Sequence, residues 1–146
     1  MKLLVAVDLS PSTETVIAQA RAIARALAAK VWLLHVADPE PTFVGYDVGP
    51  QYERDAVAEK FRQEHTEIQS IANDMRAQGL DTTALLVQGT TIETILQEAA
   101  KLDVDIIVAG SHGKGAVHRL LVGSVSEGLL QHTDRPILII PTHARG

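Results

Sequence analysis

Five short runs of nearly unbroken Val, Ile, Leu and Ala constrain this chain more than any other feature: "LLVAV" (3–7), "VWLLHV" (31–36), "ALLV" (84–87), "DIIVA" (105–109) and "ILII" (137–140). None alternates apolar with polar residues, as a strand with one wet face would. Continuous runs of this length suit strands covered on both sides, which is how a parallel sheet between two layers of helices reads.

The segments between the runs carry helical periodicity. "SPSTETVIAQARAIARALAAK" predicts a helix with Ser10 as N-cap and Pro11 at its first position, with Val16, Ile17, Ala20, Ile23 and Leu27 on one stripe. A second helix is predicted from about residue 51 to 78. It turns Val57, Phe61, Ile68, Ala72 and Met75 inward and stops at Gly79. The third begins at Thr90, where "TTIE" offers a capping box with Glu93, and buries Ile92, Ile95, Leu96 and Ala99. The fourth runs from near Ser124 to before Pro136. Strand and helix therefore alternate from end to end. With right-handed crossovers the chain is one α/β domain, 1–146, with a five-stranded doubly wound parallel sheet and helices on both faces; the expected strand order is 3-2-1-4-5.

Composition narrows the function classes. With 46% hydrophobic residues in 146, one domain has enough apolar surface for a real core. There is no cysteine, so a disulfide framework and thiolate zinc sites are excluded, and a cytoplasmic address is expected. Only five consecutive apolar residues precede Asp8, too few for a signal-peptide core. No run approaches the roughly 18 of a membrane span. Net charge is −5, which argues against nucleic acid and anionic membranes as partners. From Gly110 onward, however, four basic residues (Lys114, Arg119, Arg135, Arg145) face two acids (Glu127, Asp134), so a small anionic ligand is admissible there.

That end also holds the chain's distinctive motif. "GSHGKGAVHRLLVGSVSEG", 110–128, follows the fourth apolar run and contains five glycines and three serines. Ligands of doubly wound sheets bind beyond the carboxyl ends of the strands, where the winding reverses. If strands 1 and 4 are the central neighbours, Asp8 and Gly110 emerge there side by side. Glycines let backbone amides approach a ligand closely, and the N-terminus of the fourth helix offers unpaired N–H groups and positive dipole: phosphate chemistry. Neither common phosphate loop is present. A Walker loop fails because Gly115 is followed by Ala116, and the dinucleotide fingerprint fails because "DLSPST" after the first strand has no glycine.

"VAVDLS", "LLHV" and "GSHGKGAVHRLLVGSVSEGLL" together resemble the universal stress protein family over nearly the whole chain. Gly110, two residues, Gly113, nine residues, Gly123 and Ser124 is the pattern of that family's ATP-binding branch. The resemblance implies a dimeric domain that binds ATP or AMP in bacterial or archaeal cytoplasm and serves stress responses. One departure is Ala6, where some ATP-binding relatives have proline.

Each candidate residue has a functional and a structural reading. Asp8 accepts hydrogen bonds from ribose hydroxyls, or serves only as a turn aspartate. Val36 offers its backbone N–H and C=O to the adenine edge, while Ala6 and Val36 form apolar walls; as side chains both are also ordinary core. Gly110, Gly113, Gly123, Ser124, Val125 and Ser126 present amides, and the two serines hydroxyls, to phosphates; Ser124 is equally a plain N-cap. His112 and Lys114 line the site rather than catalyse. His35 packs in or beside the sheet, and His65 and His118 face solvent. No metal-ligand spacing occurs, so any magnesium ion is held by the phosphates and water. Residues 37–51 form either a lid or a surface connection.

The expected function is a nucleotide-dependent switch acting on a signalling partner that the sequence does not identify. The alternatives are a slow ATP-hydrolysing or phosphotransfer enzyme, and a cyclic-nucleotide module. The final run, flanked by Pro136 and Pro141, lies at a sheet edge and is expected to pair with its copy in a homodimer.

Overall fold

The computed structural model describes residues 1–37, 51–111 and 124–142. Nine elements follow one another: β1 (Lys2–Val7), α1 (Thr13–Leu27), β2 (Lys30–Ala37), α2 (Gln51–Ala77), β3 (Thr82–Gln88), α3 (Thr91–Leu102), β4 (Ile106–Gly110), α4 (Ser124–His132) and β5 (Ile137–Ile140). The five strands are parallel in the order β3-β2-β1-β4-β5.

Side-chain alternation along each strand divides the core in two. Leu3, Val5 and Val7 of β1 join Val31 and Leu33 of β2 beneath Val16, Ile17 and Ala20 of α1 and Ile68, Ala72 and Met75 of α2. Leu4 and Leu34 meet Ile95 and Ala99 of α3 and Leu129 of α4 on the other side. Both faces of β1 and β2 are therefore dry, which is why their sequences run without polar interruption. Of the predicted inward stripe of α2, Ile68, Ala72 and Met75 are fully buried, while Val57 and Phe61 are only partly so.

Helix ends show where local signals mislead. Ser10 is not the N-cap of α1. Its backbone N–H donates to Asp8 Oδ1 at 3.0 Å and its carbonyl accepts from Thr13 N at 3.0 Å, so Ser10 and Pro11 belong to a turn and Ser12 caps the helix. Three hydroxyl residues lie within four positions, and the turn at Asp8 decides among them. Thr90 does cap α3, but its side chain makes no capping bond, and the box with Glu93 is not formed. Gly79 behaves as expected: at φ 87° it closes α2, its N–H bonded to the Arg76 carbonyl at 3.0 Å.

No helix among the described residues is long and apolar enough to cross a membrane.

Candidate functional site

The carboxyl ends of β1, β2 and β4 lie side by side. Val7 is level with His35, so Asp8 follows directly beside Val36. The β1/β4 register, carried two residues beyond Val5↔Val108, sets Val7 beside Gly110. The winding reverses between β1 and β4, and the crevice outside that point is bounded by Asp8, Val36 and Gly110.

Ala6, Val36, Ala109 and Val125 all belong to the core cluster beneath α3 and α4. The two apolar walls and the start of α4 thus share one face of the sheet. A direct bond fixes that start: Ser126 is 1% exposed, and its Oγ donates to the Gly110 carbonyl at 2.5 Å. Ser124 is exposed and Val125 half-buried. The first-turn amides of α4, like those of any helix start, have no partner within the helix, and the Ser126 bond sets that turn beside the end of β4. The hydroxyl proton of Ser126 is directed to the Gly110 carbonyl, so what this residue offers a ligand is its amide.

Asp8 has the turn role as well, since one carboxylate oxygen receives the Ser10 N–H. That bond, with Leu9 at φ 60°, turns the chain sharply at the mouth of the crevice. Ser111, which the sequence did not single out, anchors the root of the glycine-rich segment: its N–H donates to the Ile140 carbonyl at 2.8 Å, and its hydroxyl accepts from Thr142 N at 3.0 Å. His112, Gly113, Lys114 and Gly123 lie outside the described residues, as do His118 and most of the 37–51 connection. Among the described candidates, Ala6, Asp8, Val36, Gly110, Ser124, Val125 and Ser126 gather at one end of the sheet.

The structure corrects the charge argument. Arg135 precedes β5 and donates to the Val104 carbonyl at 2.9 Å and to Asp103 at 3.3 Å, beside the start of β4. It stands at the opposite end of the sheet from Gly110 and adds no positive field at the crevice. An open cleft of about 870 Å³ lies elsewhere, between the start of α1 and α2. Glu14, Glu59 and Glu67 line it, and its Arg62 is held by Glu59 at 2.8 Å, a lining that repels phosphate. Among the described residues no cluster of three or more His, Asp or Glu side chains could hold a metal ion.

Comparison with known proteins decides the family. The model of the universal stress protein family matches residues 1–141. The chain belongs to the universal stress protein family. A Thermus aquaticus member, named for its place 3′ of a QAH/OAS sulfhydrylase, is 33% identical over 94% of this chain and 96% of its own. A solved structure of the Methanocaldococcus jannaschii universal stress protein MJ0577 superposes with a TM-score of 0.82 at 27% identity, covering 98% of this chain and 96% of that one. More distant members share the fold. One, in complex with cAMP, has 20% identity and a TM-score of 0.67 over 98% of both chains. Another, from Archaeoglobus fulgidus in complex with dAMP, has 20% identity and a TM-score of 0.64 over 96% of this chain and 97% of that one.

Proposed function

We propose that this universal stress protein binds an adenine nucleotide, ATP or AMP, in the crevice between β1 and β4, and that occupancy acts as a switch in a stress response. The convergence of Asp8, Val36, Gly110 and the first turn of α4 at the winding reversal carries the reading. Asp8, at the carboxyl end of β1, receives the ribose hydroxyls on its carboxylate. The peptide edge of Val36 meets adenine between the walls Ala6 and Val36. Gly110, Gly113, Gly123, Ser124, Val125 and Ser126 direct amides at the phosphates, with His112 and Lys114 alongside. Cocrystallised cAMP and dAMP in distant members of the fold support an adenine ligand. A magnesium ion would arrive on the phosphates and keep water as its other ligands, the habit of that hard ion.

Binding rather than turnover is the function. The sequence carries no Walker loop and no general base with a supporting partner, so the bound nucleotide is stabilised more than its hydrolysis is accelerated, and turnover is at most slow. The active form is a cytoplasmic homodimer joined along residues 136–141, which include edge strand β5, whose Ile137, Leu138 and Ile139 are only half-buried within one chain.

Gentle purification, denaturation and mass spectrometry of the released small molecule test the ligand. ATP or AMP is expected, and release of cyclic AMP would redirect the reading to a cyclic-nucleotide module. A preparation that releases no adenine compound, and whose melting temperature ATP does not shift, contradicts the proposal.

A further inference from the structure

Two titratable side chains meet on the face of the sheet opposite the crevice. His35 alternates with Leu34 and Val36 and points with Leu33 and Val31 toward α1 and α2, only 6% exposed. Its Nδ1 lies 2.9 Å from the carbonyl oxygen of Val7, the residue paired with it in β1. A carbonyl only accepts, so Nδ1 carries the proton. Its Nε2 meets Oε2 of Glu64, on α2, whose side chain is 18% exposed.

That second contact requires a proton of its own. With Nδ1 protonated, a neutral ring presents a lone pair at Nε2, and an ionised carboxylate presents another. The pair is therefore imidazolium against carboxylate or imidazole against carboxylic acid, and in either form His35 is held at both nitrogens. Removing one partner strands the other in a low-dielectric setting, which is why such pairs fix geometry more than they add stability.

The clamp joins β1, β2 and α2 at Val7 and His35, the residues directly before Asp8 and Val36. We propose that His35 and Glu64 are positioning residues for the nucleoside end of the site: they hold the ends of β1 and β2 level, so that the Asp8 carboxylate and the Val36 peptide edge keep the spacing a nucleoside needs. The proposal rests on the adenine-nucleotide reading above. Neither side chain touches the ligand; both act through the Val7 carbonyl and the backbone that follows.

AMP titration by calorimetry on wild type, Glu64→Leu and Glu64→Gln, with melting curves on the same samples, tests this. Glu64→Leu leaves Nε2 against an apolar group, and AMP affinity of the folded protein should fall about tenfold. Glu64→Gln can donate its amide N–H to the neutral ring and should keep affinity within about threefold of wild type. If Glu64→Leu does not fold, His35→Asn serves instead: its amide can reach the Val7 carbonyl but not Glu64, and the same loss is expected. Lowered melting temperatures with unchanged AMP affinity in Glu64→Leu or His35→Asn would overturn the positioning role alone. Absence of both AMP and ATP binding in the wild type would instead refute the nucleotide site itself.

Discussion

The Ser126 hydroxyl, fully buried in the first turn of α4, donates to the carbonyl of Gly110, the last residue of β4. This bond bridges the two ends of the glycine-rich segment and sets the first turn of a helix against the winding reversal of the sheet. Ser126→Ala leaves the Gly110 carbonyl without that donor, so unfolding free energy should drop by about 1–3 kcal/mol. Nucleotide affinity should fall with it. Urea denaturation and calorimetry check the two effects, and wild-type values in both would show that the bond positions nothing.

Gly128 sets the distance between α4 and α3. A Cβ at that position would fall 2.2 Å from Ile92 Cδ1 and 3.1 Å from its Cγ1. The obstacle is the far end of a side chain, so Gly128→Ala is tolerated with some repacking, whereas Gly128→Val should cost about 1–3 kcal/mol by overpacking. Combining it with Ile92→Ala frees the space, and the double variant should recover part of the loss. Thermal unfolding of the set measures this; strictly additive losses would contradict direct contact.

Turnover should be slow or undetectable. Steady-state ATP hydrolysis near about 10 per second, the middle of ordinary enzyme rates, would make the protein an enzyme rather than a switch.

Edge strand β5 should carry the dimer. Ile139→Lys places a charge in the proposed strand pair and should yield monomers or insoluble protein. Light scattering of the wild type at micromolar concentration should give twice the chain mass of 15.7 kDa. The mass of a single chain would reject the dimer.

The sheet was legible because both faces of its strands are buried, so each announced itself as an apolar run; β5 was bounded to the residue, at Ile137–Ile140. Alternating strands and helices gave the doubly wound class, the expected order 3-2-1-4-5 is the one observed, and the pairing of β1 with β4 brings Asp8, Val36 and Gly110 together. Where several residues compete for one local role, sequence did not decide. Ser10, Ser12 and Asp8 all suit a cap, and the Asp8–Ser10 bond settled the choice. Thr90 and Glu93 have capping-box spacing without forming the box. The His35–Glu64 pair spans 29 positions and two elements, and no local pattern signals such a contact. Arg135 read as part of a basic end, yet strand direction carries it to the far side of the sheet.

The most direct test of the central claim is calorimetric titration of nucleotide-stripped protein with ATP and with AMP, on wild type and Asp8→Ala. The account predicts one saturable site per wild-type chain. Saturation at a hundred times the dissociation constant should add about 2.7 kcal/mol to folding stability. In Asp8→Ala affinity should be at least about tenfold weaker, the loss expected when hydrogen bonds from ribose to a charged acceptor are removed. Wild-type protein that takes up neither nucleotide, or an Asp8→Ala variant that binds both as tightly as wild type, would contradict it.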